Sequence, residues 1–374
     1  MFEREQAGLL GDRTGGVDLD RLIACVNACG FDESRYLADN AALQNAGFDA
    51  PAALFHFLAH GYAERRELTC GVLPDGLHEI RSLALPNRDY AVRLFCCLFF
   101  GQIKNPRTAD RLWHGIDRGF VDCLRAMGGI PYFVIGDSHA THYLRMAWLG
   151  ERWLAALPLV CHGGSAIDLA NENSRSRFGP QLLQWARTVA DLARPFDVPV
   201  FLKFGGIDTE FLWVRRRMRK GFYQFAVAEF DDLARESVFR YSRFLDALAC
   251  IVDRGLLRIC SVFPTVLGDA DWAEVFLQVH RTSPERDRAL AHELEKAEIP
   301  PLSTRTQLRG LYNDYLRDMC RAKSLAFVDD FSPFVDANGN THRRCYATHG
   351  GRETHLDYDA CEEPLVKIIR SFIN

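Results

Sequence analysis

The chain has 374 residues, 48% hydrophobic and 25% charged, with a formal net charge of -4. It can bury a real core, which excludes a disordered polymer, and its length suits one catalytic-size domain plus a smaller module. The acidic balance excludes the uniformly basic surface of a nucleic-acid binder and a polybasic membrane anchor, so a small or neutral partner is expected.

The N-terminal stretch MFEREQAGLLGDRTGG is too polar for a secretory signal. The longest apolar run, Leu94 to Gly101, is under half of what crosses a bilayer, so no membrane span is expected. Of the 12 cysteines, Cys25, Cys29, Cys96, Cys97, Cys161, Cys250 and Cys260 stand among apolar neighbours and no Cys-x-x-Cys occurs. They read as buried thiols, with no metal and no cofactor expected, and they fit a reducing cytoplasm.

Residues 1–68 read as a small helical module. Leu19, Leu22, Ile23 and Val26, then Leu54, Phe55, Phe57 and Leu58, recur at helical spacing. Gly30, Asp39-Asn40 and Gly47 punctuate them, Asp49-Ala50-Pro51 caps the helix that follows, and Gly61 ends it. Residues 69–129, with a turn at Pro74 and an apolar stretch from Tyr90 to Phe100, read as a connector packed on the main domain. From 130 to 374 short apolar runs alternate with long amphipathic stretches, the pattern of a parallel sheet covered by helices. Strands are predicted at Tyr132 to Ile135, Leu157 to Cys161, Val198 to Phe204, Leu256 to Phe263 and Ala326 to Val328. Helices are predicted near Ala140 to Leu149, Pro180 to Ala193, Phe225 to Asp253, Trp272 to Ala297, Thr304 to Ala322 and Ala360 to Phe372. This is an α/β, doubly wound, flavodoxin-like arrangement of about five parallel strands, whose ligand crevice lies at the carboxyl ends of the strands.

The residues directly after each strand are therefore the ones to weigh. Gly136-Asp137-Ser138-His139 holds a serine hydroxyl at the start of the next helix, where the plain reading is an N-cap. A serine needs a general base within reach to become a nucleophile. Cys161-His162-Gly163-Gly164-Ser165 follows the second strand, and Gly163 or Gly164 would let a backbone amide approach an oxyanion. Phe204-Gly205-Gly206-Ile207-Asp208 follows the third, with Gly206 and Asp208 as oxyanion or substrate-binding candidates. Near the C-terminus stands Arg352-Glu353-Thr354-His355-Leu356, where His355 could reach Ser138 across the sheet top. His342 and His349 are rivals to His355. His139 and His142, three residues apart, suggest a structural pair more than a metal site. The basic run Arg215 to Lys220 could clamp an anion, but a solvated helix face is the commoner meaning.

Those segments, in this order, resemble the SGNH (GDSL-type) hydrolase family over roughly residues 131 to 374. Gly136-Asp137-Ser138 matches the nucleophile block, Gly163 or Gly164 the oxyanion glycine, and Thr354-His355-Leu356 the block that carries the base. The resemblance implies that Ser138 attacks an acyl carbonyl and His355 takes its proton. The sequence departs from the family at two positions. Ile207 stands where an oxyanion asparagine belongs, and Arg352 where the carboxylate that orients the histidine belongs, leaving Glu353, Asp357 or Asp359 for that role.

A second resemblance, carried by Phe31-Asp32, Tyr36-Leu37, Asn40, Gly47, His56-Phe57-Leu58, His60-Gly61 and Glu64-Arg65-Arg66, is to a short helical module of bacterial polysaccharide-associated proteins, glycosyltransferases among them. Together they imply a serine esterase acting on an acylated, O-acetylated saccharide, with glycan-assembly proteins as partners of the module. The alternatives are an acyltransferase to a glycan using the same serine, and a glycan-binding or assembly protein that kept the fold and lost catalysis.

Overall fold

The computed structural model describes residues 33–49, 52–53, 125, 129–144, 148–149, 152–174, 176–194, 197–280, 283–346 and 354–373. The chain divides into two compact units, one of residues 1–131 with 148–153 and one of 132–147 with 154–374.

In the first unit, α1 (Glu33–Asp39) and α2 (Ala41–Asn45) bury Tyr36, Leu37 and Leu43. Asn40 and Gly47 punctuate them as the sequence suggests, with Gly47 at φ 83°. Asp49 caps the segment that follows, its Oδ1 accepting from the Ala52 amide at 2.9 Å. The apolar residues from Leu54 to Leu58, those before Phe31, and the stretch from Tyr90 to Phe100 lie outside the described residues.

The described strands form one sheet in the order β2-β3-β1-β4-β5-β6, with β1 at Gly129–Gly136, β2 at Trp148–Leu149, β3 at Arg152–Val160, β4 at Val200–Lys203, β5 at Leu257–Cys260 and β6 at Ala326–Val328. β4 runs parallel to β1 and β5, and β5 parallel to β6. β2 pairs antiparallel with the first residues of β3, Trp148 opposite Trp153. Without β2, the remaining five strands have the doubly wound order expected from the sequence. β1 and β4 are buried at every position, which is why, Lys203 at the end of β4 apart, their sequences are apolar runs rather than alternating ones.

Helices cover this sheet: α3 (Phe178–Ala193), α4 (Trp213–Arg219), α5 (Val227–Ala249), α6 (Asp269–Val279), α7 (Pro284–Lys296), α8 (Leu302–Ala322) and α9 (Tyr358–Ser371). α5 buries Phe230, Leu233, Ala234, Val238, Tyr241, Leu245 and Leu248, and α8 buries Leu308, Tyr312, Leu316 and Cys320, each a stripe at three- and four-residue spacing.

Three expectations are corrected. The helix expected from Ala140 to Leu149 is a six-residue 3-10 segment, Ser138–Tyr143, and Trp148–Leu149 is strand β2. Thr, His and Tyr are weak helix formers, and the two histidines here bond to a distant part of the chain instead. The helix expected from Trp272 to Ala297 is two helices, because Ser283 caps α7 through the Arg286 amide and Pro284 occupies its first turn. Cys250 is exposed, not buried, because it lies just past the C-terminus of α5. Cys161, Cys260, Cys320, Cys345 and Cys361 are buried, and the cysteines before Cys161 lie outside the described residues.

Candidate functional site

β1 ends at Gly136, where a Cβ would lie 2.2 Å from the Lys203 carbonyl, so only glycine permits this approach of β1 to β4. The next amide, of Asp137, donates to that same carbonyl at 2.9 Å. Cys161 donates to the Gly136 carbonyl at 2.7 Å, tying the loop after β3 to the same point. Ser138 thus stands at the carboxyl edge of the sheet, half-buried.

The cap of the 3-10 segment is Asp137, not Ser138. The Asp137 carboxylate accepts from the His139 amide (2.9 Å) and faces His139 Nδ1 (3.0 Å) through Oδ1, and accepts from the Gly206 amide (3.1 Å) through Oδ2. Burial pushes this carboxyl up, but the charge and hydrogen bonds of His139 outweigh it and hold the group below its ordinary value. Among the described residues, no group hydrogen-bonds the Ser138 hydroxyl.

His355 is brought to this turn. Its ring centroid lies 4.9 Å from that of His139 and 5.9 Å from that of His142, the latter pair stacked at 17°. Its Nδ1 is 3.2 Å from Thr354 Oγ1. His139 Nε2 lies 3.3 Å from the Thr354 carbonyl, and His142 Nε2 lies 2.9 Å from that of Leu356. His139 is held below the ordinary histidine value, chiefly by burial, which Asp137 partly offsets. His355 and Ser138 are not hydrogen-bonded to each other. Glu353, Arg352 and His349 lie outside the described residues, and His342 caps a short 3-10 turn at Arg343–Cys345.

The candidate glycines differ in what their amides already do. Gly164 donates to the Cys161 carbonyl at 2.8 Å and Gly206 to Asp137. A Cβ on Gly206 would come within 2.5 Å of His139 Nδ1, so this glycine makes room for the Asp137-His139 pair. Gly163 is exposed, at φ 72°, and its amide bonds to no described residue. Asp208 is fully buried and accepts from the amides of Ala166 (2.8 Å) and Ile167 (3.0 Å) and from Ser237 Oγ (2.9 Å). Burial raises its pKa to about 6 despite those donors. Its side chain ties the loop after β3 to the start of a π-helical turn, Asp208–Leu212.

Two buried ionic groups were missed by sequence reasoning. Lys203 at the end of β4 pairs with Asp330 after β6 at 2.6 Å, donates to the Ser261 carbonyl, and lies 3.3 Å from the Phe263 ring centroid. Tyr143 donates to the same carboxylate at 2.6 Å, and Ser261 Oγ donates to its other oxygen. Glu210 is paired with Arg305 and Arg309 and accepts from Trp272 Nε1 at 2.7 Å. The basic run does not act as one unit: Arg216 pairs with Glu236, and Arg217 is buried beside Trp213, donating to the Glu298 carbonyl. Among the described residues there is no cluster of three or more His, Cys, Asp or Glu side chains arranged to hold a metal, and no helix long and apolar enough to cross a membrane.

No family model and no curated protein matches the sequence. Among solved structures, the chain is similar to a "putative acylhydrolase" from Bacteroides fragilis NCTC 9343 (11% identity, TM-score 0.34, covering 65% of this chain and 88% of that one). It is also similar to the lipase Lip_vut3 from a goat rumen metagenome (13%, 0.38, 65% and 97%) and to a "putative platelet activating factor" from Streptococcus pneumonia (14%, 0.37, 76% and 98%). At this level the likeness assigns neither an activity nor a substrate to the chain.

Proposed function

We propose that the protein is a serine esterase that removes acyl groups, O-acetyl groups in particular, from a saccharide, with Ser138 as nucleophile and His355 as general base. The observation that carries this reading is the division of labour in the turn after β1. Asp137 does the capping, so no described residue bonds the half-buried Ser138 hydroxyl, and a histidine from 217 residues further along the chain is packed onto the same turn. In the reaction, Ser138 Oγ adds to the ester carbonyl while His355 takes the hydroxyl proton. The proton then passes to the leaving sugar oxygen, and water, deprotonated by the same histidine, releases the carboxylic acid. Apo hydrogen bonds of this kind tighten when substrate arrives, so the missing Ser138 to His355 bond is compatible with the reading. Gly163, whose amide bonds to no described residue, is the oxyanion donor in this reading. Glu353 is the carboxylate proposed to orient His355, and Asp208 holds the neighbouring loop. The saccharide rests on the resemblance of the N-terminal module, and transfer of the acyl group to a glycan hydroxyl is the same chemistry with another acceptor.

A second reading, a glycan-binding protein that kept the fold without the reaction, is favoured by the unformed Ser138 to His355 bond and by Ile207. The two separate on short-chain aryl esters and acetylated oligosaccharides. The esterase reading expects release of acid that Ser138→Ala and His355→Ala abolish, and equal rates for wild type and Ser138→Ala would refute it.

A further inference from the structure

We infer that Asp137, His139 and His142 form a clamp that positions His355 from the nucleophile's own side, by gripping the backbone on both flanks of that histidine. The inference rests on the esterase reading for its functional meaning, though its geometry stands without it.

Histidines that act as bases are commonly held by a carboxylate on the ring nitrogen remote from the nucleophile. His355 Nδ1 lies 3.2 Å from the Thr354 hydroxyl, a more easily rotated partner than a carboxylate. The backbone on both sides of His355 is held as well. His142 Nε2 donates to the carbonyl of Leu356 at 2.9 Å, and His139 Nε2 stands 3.3 Å from the carbonyl of Thr354. These two carbonyls bracket His355. The two gripping histidines are three residues apart on the segment that begins with Ser138, so one short element sets both nucleophile and base.

Ring contacts reinforce the grip. The His142 ring is nearly parallel to that of His355 at 5.9 Å and to that of Tyr358, the first residue of α9, at 4.3 Å. Behind His139 stands Asp137, fixed in turn by the His139 and Gly206 amides. In the neutral form that burial favours, His139 has one N–H, so it bonds either Asp137 or the Thr354 carbonyl and the other contact is packing alone. The His142 contact is the firmer half of the clamp, and Asp137 and His139 hold the other. All three are positioning residues, since none touches the atoms that react.

The test compares His142→Phe, which keeps a stacking ring and loses the donor, with His142→Gln, which keeps a side-chain N–H. On an aryl ester, kcat is expected to fall about 10- to 100-fold in the Phe variant with KM nearly unchanged, the scale of a misplacement of about 1 Å, and to recover most of that in the Gln variant. In protein carrying 15N-labelled histidine, the His355 ring signals, assigned by their loss in His355→Gln, are expected to move in the Phe variant and return in the Gln variant. Near-UV circular dichroism confirms that both variants fold. Wild-type kcat and unmoved His355 signals in a folded His142→Phe protein would overturn the clamp. Activity retained by Ser138→Ala would instead sink the esterase reading, and the histidine signals would still decide the clamp.

Discussion

The Lys203-Asp330 pair lends itself to a quantitative test, because its side chains are 2% and 0% exposed and therefore exchange no stabilisation with water. Replacing Asp330 by Asn keeps a side-chain oxygen for Tyr143 and Ser261 but leaves the Lys203 ammonium buried without its counter-charge. Removing one partner of a buried pair costs about 3 to 5 kcal/mol, because the remaining charge keeps its full desolvation penalty. With a urea dependence of about 3 kcal/mol per molar, the unfolding midpoint falls by about 1 to 1.7 M. Lys203→Met leaves the Asp330 carboxylate in the same position, and a loss of similar size is expected. The double variant Lys203→Met with Asp330→Asn has no buried charge, so it should be more stable than either single variant, with a coupling of about 2 kcal/mol or more. Urea unfolding followed by tryptophan fluorescence measures all four proteins. Single variants that lose less than about 1 kcal/mol, or a double variant that loses the sum of the two, would refute the reasoning. The pair also bears on the site, since the Lys203 carbonyl receives the Asp137 amide, and a shift of this strand end moves the turn that carries Ser138.

Two further outcomes follow from burial. Asp208, raised to about 6 from 3.8 by desolvation, binds its proton more tightly folded than unfolded. Its contribution to stability is therefore fully present below about 3.8 and lost as pH rises through about 6, a swing of about 3 kcal/mol. Wild type should lose up to that amount relative to Asp208→Asn between pH 4 and 7 in urea titrations, and a difference constant with pH would contradict it. Among the thiols, Cys250 is exposed, whereas burial pushes Cys161 and Cys320 up to about 12 and Cys260 also upward. Iodoacetamide at pH 8 should label Cys250 in the native protein and leave the other three for the unfolded chain, as peptide mass mapping can read.

How much of this was legible in the sequence depends on the range of the interaction. The strands declared themselves because a strand buried on both faces must be apolar throughout, as Tyr132 to Ile135 and Val200 to Leu202 are. The stripes of α5 and α8 were equally plain. Local chemistry is legible too: Ser283-Pro284 marks a new helix start inside what looks like one long helix. Asp137, an acidic residue directly before a short helical turn, has the character of a good cap. Partners far apart could not be found. A lysine ending an apolar strand hints at a buried counter-charge, yet nothing in the sequence connects Lys203 to Asp330, 127 residues away. Arg305 and Arg309, four apart on the apolar face of α8, are the similar case, with Glu210 about a hundred residues before them. His355 was singled out from its order in the chain, but the grip of His139 and His142 on its neighbours exists only once both loops are placed.

The neighbouring residues Asp137 and Ser138 offer a last discrimination, because the structure gives them opposite kinds of work. The Asp137 carboxylate receives two amides and faces His139, so Asp137→Ala leaves donors at the strand end without an acceptor and removes a cap, a loss of about 1 to 2 kcal/mol or more. No described residue uses the Ser138 hydroxyl, so Ser138→Ala should change stability by no more than about 0.5 kcal/mol. Thermal unfolding of the two variants beside wild type measures both numbers. A serine that served only as a structural cap would show the reverse order, with Ser138→Ala the more destabilised. That result would remove the premise on which the esterase reading stands, because the hydroxyl would then be holding the turn rather than being held by it.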